Sequence, residues 1–170
     1  MCRDDRERLD PWRAGVTIGA ALFPDLDLTF KLVDGVNHHG NELHGVGCAI
    51  AAGLLGALAF RALGWARPWA LALAVALAYA THPLLDYLNV DTHPPIGILA
   101  LWPFSHAYYK FPWPIFMDIG RTLDWTTVRH NAVAALWETV LLAPLLAAAW
   151  HWRRRGTGGG AWPEASKASR

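Results

Sequence analysis

The chain has 170 residues, enough for one domain with a substantial core. Its composition is 54% hydrophobic and only 17% charged, below the roughly 25% of charged residues in a typical soluble domain, and this favours a membrane protein. The net charge of +1 gives no general attraction to polyanions, so we expect no nucleic-acid partner. The two cysteines, Cys2 in a charged leader and Cys48 in an apolar stretch, do not indicate a disulfide framework.

Four apolar stretches follow one another along the chain. A helix that crosses a bilayer needs about 20 apolar residues, roughly 17 at the least. Ala14–Phe23 is too short to cross alone, and Gly45–Phe60 and Pro68–Thr81 are borderline. Ala132–Trp150 is long enough. Because alanine and leucine favour helix, we predict an all-α integral membrane bundle of three to four hydrophobic helices. A soluble bundle with buried core helices is the alternative.

The first two apolar stretches adjoin polar residues of the types that bind metals. Asp25 and Asp27 follow the first stretch, and we expect an extended turn on which both carboxylates converge. His39 and His44 precede the second stretch, with Gly40 between them to let the chain turn inward. Paired aspartates are also common in ordinary turns, so Asp25 and Asp27 alone do not identify a metal site.

A third polar pair ends the third apolar stretch. His82 and Asp86 are spaced i, i+4, which places them on the same helix face. A histidine paired with a neighbouring acid at a helix end is the ordinary alternative. Because the apolar stretches alternate in direction, all three pairs are expected to meet on one side, where charged groups beside hydrocarbon are costly unless a cation neutralises them. The predicted metal ligands are Asp25, Asp27, His39, His44, His82 and Asp86.

The mixture of nitrogen and oxygen ligands indicates the metal. Histidine with carboxylate suits zinc, with manganese or iron as alternatives, whereas calcium prefers oxygen alone. Six ligands exceed a single tetrahedral site, so a centre with two metal ions is an option. Two ions about 4 Å apart activate water and stabilise an oxyanion, most commonly on phosphoesters.

The segment Asp91–Arg129 is aromatic and rich in proline, which argues against one continuous helix. We predict that it lies at the membrane interface, where aromatic rings with a polar edge accumulate. A lid over the site is the functional alternative. His93 and His106 in this segment are candidates for donating a proton.

The basic residues predict an orientation in the membrane. We assign residues 1–155 to a single membrane-embedded domain and residues 156–170 to a disordered tail, since the tail begins with a glycine-rich run. If the helices alternate, most of the 15 lysines and arginines fall on one side, which is then cytoplasmic. The polar pairs would face the extracytoplasmic side of a multi-pass protein in the inner membrane. The larger basic group comprises Arg3, Arg6, Arg8, Arg13, Arg61, Arg67, Arg153, Arg154, Arg155, Lys167 and Arg170.

The order of these motifs resembles that of the membrane-bound metal-dependent hydrolases, also described as LexA-binding, inner-membrane-associated hydrolases. The resemblance covers roughly residues 15–109 and implies a metal-dependent hydrolase. The helical layout of that family is similar to that of enzymes that hydrolyse phosphodiesters at clustered zinc. The matching segments are Ala20–Asp27, His39–His44, His82–Asp86 and Gly97–Ser105.

The middle motif departs from the family's usual His-Arg-Gly-x-Thr-His-Ser. Both histidines are kept, as His39 and His44, but Gly40, Leu43 and Gly45 stand at the arginine, threonine and serine positions. The resemblance therefore implies an intact metal site without the arginine.

We predict a metal-dependent hydrolase at the membrane, acting on a phosphoester through metal-activated water. Asp27 is the predicted base, and His93 or His106 would protonate the leaving group. The expected partners are the lipid bilayer and a lipid or other phosphoester substrate. The alternative is a non-enzymatic metal-binding membrane protein: a divalent-cation carrier, a sensor or a structural partner.

Overall fold

The computed structural model describes residues 11–157, and within this range the chain is all-helical, without a β-strand. The predicted all-α class is thereby confirmed. The chain divides into two compact units, Met1–Asp118 and Ile119–Arg170, and each is considered by itself below. The α-helices are α1 (Pro11–Leu22), α2 (Asp27–Asp34), α3 (Val46–Ala62), α4 (Pro68–Tyr87) and α5 (Trp125–Thr157).

In the first unit, α4 packs against both α1 and α3. The seam between α3 and α4 includes small residues, among which Ala57 and Ala72 are buried. A Cβ atom added at Gly53 would lie 2.9 Å from the Cβ of Ala76, so the two helices approach too closely for a larger side chain. Small residues at such seams are typical of helices that pack within membranes.

The chain between α1 and α2 is helical, so the extended turn predicted for Asp25 and Asp27 is wrong. A 3-10 helix, Phe23–Leu26, follows α1 directly, and Asp27 is the first residue of α2. The fixed φ of Pro24 suits the start of a helix. The carboxylates of Asp25 and Asp27 therefore project from helical rather than extended backbone.

A Pro-rich loop, residues 88–118, covers the start of α3. Val46 donates its backbone N–H to the carbonyl of Ala100 at 2.9 Å, and Gly47 donates to the carbonyl of Trp102 at 2.9 Å. These carbonyls satisfy helix N-terminal donors that a capping side chain would otherwise take. Gly45 makes the contact possible, because a Cβ there would lie 2.8 Å from the Cβ of Trp102.

The second unit contains α5, which begins at Trp125, so the end of the predicted Pro-rich segment is helical. Asp124 caps the helix by accepting the backbone N–H of Thr127 at 2.9 Å. Hydrogen bonds from Thr122 and Thr127 lower the pKa of Asp124 to about 2. The helix continues through Pro144 to Thr157, past the start of the predicted tail. The rest of that tail, like the first ten residues, lies outside the described residues.

Within residues 11–157, two helices are long and apolar enough to cross a membrane. They are Pro68–Tyr87 and Trp125–Arg155. The other apolar helix, α3, has 17 residues, about the minimum for a span.

Candidate metal centre

Three helix ends bring the predicted ligands together in the first unit. Asp25 and Asp27 follow the end of α1, and His39 and His44 precede the start of α3. His82 and Asp86 belong to the final turns of α4. The end of α4 therefore meets the end of α1 and the start of α3. We call this group the six-residue cluster: Asp25, Asp27, His39, His44, His82 and Asp86.

His44 lies at the base of the cluster, with a side chain that is 0% exposed. Its Nδ1 atom is 3.1 Å from Oδ2 of Asp27, and its Nε2 atom is 2.9 Å from Oδ2 of Asp86. Although these distances are short, the groups are not aligned for hydrogen bonding, and both ring nitrogens lack a hydrogen-bond partner. Buried polar atoms that are close together but unpaired are expensive unless another partner satisfies them.

The orientation of His82 is fixed by the backbone. Its Nδ1 donates a hydrogen bond to the carbonyl oxygen of Ala21 at 2.8 Å, because a carbonyl can only accept. Nε2 then faces the cluster, 3.3 Å from Oδ1 of Asp25 and 3.4 Å from Oδ2 of Asp86. A histidine that donates its other ring N–H to a carbonyl is the usual arrangement of a metal ligand.

His39 completes the nitrogen donors and connects both aspartates of the first pair. Its Nδ1 lies 3.3 Å from Oδ1 of Asp27 and 3.7 Å from Oδ1 of Asp25. Its Nε2 lies 3.8 Å from Oδ2 of Asp86. The ring packs edge-on against His44, with centroids 4.6 Å apart.

These side chains form two overlapping sets of three donors. In each set the donor atoms lie within 4.8 Å of one another, and His44 belongs to both sets. Within residues 11–157, every buried side-chain polar atom that lacks a hydrogen-bond partner belongs to the cluster, except Oδ1 of Asn89. The donor set and its unpaired atoms therefore fit a divalent cation with nitrogen and oxygen ligands. The two sets are Asp25, His39, His44 and His44, His82, Asp86.

Side-chain exposure increases across the cluster, from a buried base to an accessible mouth. Asp27 is as deeply buried as His44, whereas the side chain of Asp25 is 41% exposed. Burial opposes ionisation of Asp27, but the neighbouring imidazoles of His39 and His44 outweigh it and hold the pKa of Asp27 below its ordinary value. Burial opposes protonation of His44, but the carboxylates of Asp27 and Asp86 raise its pKa. A cation binding here would displace a proton, since metal ligands must be deprotonated.

The two predicted proton donors lie outside the cluster. In the described part of the chain, neither His93 nor His106 contributes to either set of donors. His93 is half-buried and its Nδ1 contacts Oγ1 of Thr92 at 3.3 Å, while His106 is exposed.

The sequence also left one functional contact unidentified. The carbonyl of Ala21 orients His82, but a backbone oxygen carries no signal in the residue type. His38, next to His39, lies apart from the cluster and pairs with Asp34 at 2.6 Å.

Gly40 stands where the resembling motif has an arginine, in a conformation that disfavours a side chain. Its φ of +83° is disfavoured for any residue with a side chain, and a Cβ there would lie 2.9 Å from the carbonyl oxygen of Gly97. Gly40 also accepts a hydrogen bond from the backbone N–H of Leu99 at 2.8 Å. The position is therefore a tight contact between the cluster and the Pro-rich loop.

Comparison with known proteins supplies the family. Residues 3–156 match the family described as YdjM inner membrane protein. The chain belongs to that family. Membership supports an inner-membrane protein, in agreement with the two membrane-length helices. No curated protein and no solved structure significantly matches the chain.

Proposed function

We propose that the protein is a metal-dependent hydrolase that acts on a phosphoester at the membrane. One observation carries this proposal: three histidines and three aspartates converge, and five of their buried side-chain atoms lack a hydrogen-bond partner. Family membership contributes the membrane setting.

The whole six-residue cluster would hold the metal, with zinc as the first choice and manganese or iron as alternatives. A bound divalent cation supplies Lewis acidity, which lowers the pKa of water and stabilises negative charge on a phosphoryl oxygen. Around it, the carbonyl of Ala21 holds the ring of His82 in place, and burial of His44 keeps water from the base of the site.

We propose Asp25, at the accessible mouth, as the base in place of Asp27. Both oxygens of Asp27 face imidazoles at 3.3 and 3.1 Å in a buried setting, so this carboxylate positions His39 and His44. Asp25 faces the imidazoles through Oδ1 and is the most exposed member of the cluster. A carboxylate placed in this way accepts a proton from water that approaches the mouth.

Hydrolysis by the full-length protein, purified in detergent and supplied with zinc or manganese, tests the proposal. We expect metal-dependent turnover of a phosphomonoester or a phosphodiester. Asp25→Asn should lower kcat by about 100-fold or more, whereas His38→Ala should retain turnover because His38 pairs with Asp34 outside the cluster. The absence of metal-dependent turnover, or full turnover by Asp25→Asn, would overturn the proposal.

A second candidate function is a metal staple without catalysis. The position of the cluster favours it, because a metal there would join the end of α1, the start of α3 and the end of α4. Structural metal sites contribute directly to folding. A large fall in melting temperature on chelation, with no hydrolysis of any phosphoester tested, would support the staple over the hydrolase.

We also propose that α1, α3, α4 and α5 all cross the membrane in alternating directions, and that the cluster faces the extracytoplasmic side. The excess of basic residues on the opposite side supports this orientation. In a variant without native cysteines, Leu32→Cys should react with an impermeant maleimide in intact cells. Gly64→Cys, in the turn between α3 and α4, should react only after permeabilisation. The reverse labelling pattern would contradict the orientation.

A further inference from the structure

An apolar cavity adjoins the six-residue cluster within the first unit. Its volume is about 360 Å³, within the range of roughly 300–1,000 Å³ that is usual for small-molecule sites. The start of α3, the second half of α4 and the Pro-rich loop contribute to its lining, for example through Val46, Ala80 and Leu101. Among the described residues that line the cavity, His44 is the one that belongs to the cluster.

Helix α4 presents different faces to the cavity and to the cluster. Ala80 and Leu84 are one turn apart and line the cavity. His82 and Asp86 are also one turn apart and face the cluster. One rigid helix therefore sets the position of an apolar binding surface relative to the polar donors.

The chemistry of the lining points to a hydrocarbon chain as the occupant. Within residues 11–157, no lysine, arginine, aspartate or glutamate lines the cavity, and His44 is its most polar residue. Among the lining residues, Leu84 is 56% and Leu101 is 46% exposed, so apolar side chains continue from the cavity to the protein surface. Because α4 is long and apolar enough to cross a membrane, and the family is an inner-membrane family, that surface is continuous with lipid.

We infer that the substrate is a phosphoester attached to a hydrocarbon chain, as in a membrane lipid, and that the cavity holds this chain. The inference rests on the proposed function and names its substrate class. The chain enters past Leu84 and Leu101 from the bilayer, and the phosphoester end lies toward the cluster, on the side of the cavity that His44 lines. Polar donors beside an apolar cavity would select substrates that have both a phosphoester group and a hydrocarbon chain.

Two substrates that differ only in the chain test the inference. Octyl and methyl p-nitrophenyl phosphate release the same chromophore, so their kcat/KM values are directly comparable. Each buried methylene is worth roughly fourfold in affinity. The metal-supplied full-length protein should therefore prefer the octyl ester by at least about tenfold, even if only two of the additional methylenes are buried.

Ala80→Phe fills the cavity from α4 and should reduce the ratio of octyl to methyl kcat/KM about tenfold or more. Ala70→Phe is the matched control, because Ala70 is exposed on the same helix and does not line the cavity. If Ala80→Phe does not fold, Leu84→Ala replaces it, with a severalfold smaller preference expected.

The outcomes separate the two proposals. Equal kcat/KM for both esters, or an octyl preference that survives both cavity variants, would overturn the chain site while leaving the hydrolase in place. If neither ester is hydrolysed under any metal condition, the proposed function fails and the substrate class fails with it.

Discussion

Two groups of histidines differ in what the fold does with them. His39, His44 and His82 lie at or beside helix ends, and the packing of α4 against α1 and α3 brings them together with three aspartates. His93 and His106 lie in the Pro-rich loop and contribute to neither donor set in the described residues. The difference shows that the packing of helices, rather than closeness along the sequence, decides which histidines join the donor sets.

The largest expected effect is at the base of the cluster. His44→Ala removes the residue common to both donor sets and leaves Asp27 and Asp86 facing each other without the imidazole. Changes that touch only the supporting residues of a metal site cost about 10–100-fold in affinity, so we expect a loss of about 100-fold or more here. Isothermal titration with zinc measures it.

The matched control for this variant is His38→Ala, which makes the same chemical change at a histidine paired with Asp34. It should bind zinc as the wild type does. Equal zinc affinity in both variants would show that the cluster is not the metal site.

The next largest effect is expected where the turn that carries His39 touches the Pro-rich loop. Gly40→Arg introduces a side chain at a left-handed position, which costs roughly 1–3 kcal/mol, and drives its Cβ against the carbonyl oxygen of Gly97 at 2.9 Å. Gly35→Arg is the control, since Gly35 has a φ of +75° but no neighbouring atom within 4 Å. Denaturant unfolding should show a larger loss of stability for Gly40→Arg. Equal losses would mean that backbone strain alone explains the glycine.

A smaller effect is expected within the loop itself. Asp91 accepts the backbone N–H groups of His93 at 3.0 Å and Gly97 at 2.7 Å. Asp91→Ala removes both hydrogen bonds, each worth about 0.5–1.5 kcal/mol, and should lower stability without changing the zinc content. Asp91→Asn retains one acceptor oxygen and should fall between Asp91→Ala and the wild type. Loss of zinc from Asp91→Ala would make the loop part of the metal site.

The sequence predicted the six members of the cluster as ligands because their residue types and spacings carry the signal. The i, i+4 spacing of His82 and Asp86 holds in α4 regardless of its surroundings. The extended turn predicted at Asp25 and Asp27 was wrong because the chain continues from α1 through a 3-10 helix into α2. Helix α2 has only eight residues, and a helix this short depends on tertiary packing that the sequence pattern does not show.

Backbone contacts were beyond the reach of sequence reasoning. The carbonyl of Ala21 orients His82, and the carbonyls of Ala100 and Trp102 satisfy the start of α3. These oxygens are present in every residue, so nothing in the amino-acid type distinguishes them. The absent arginine became intelligible only once the φ of Gly40 and its contact with Gly97 were known.

The smallest expected effects are at the loop histidines. His93→Gln and His106→Gln should leave zinc affinity unchanged and alter stability by no more than about 0.5 kcal/mol, as is usual for surface changes. Turnover should fall by less than about tenfold, because neither ring contributes to the donor sets. A fall in turnover of about 100-fold or more in either variant would show that the replaced histidine is a general acid.

X-ray absorption of the zinc-loaded full-length protein shows whether histidines and aspartates of the cluster bind the metal. We predict a first shell of nitrogen and oxygen with the scattering signature of imidazole rings, lost in His44→Ala and kept in His38→Ala. A shell containing sulfur, or a spectrum unchanged by His44→Ala, would contradict the claim and place the metal elsewhere.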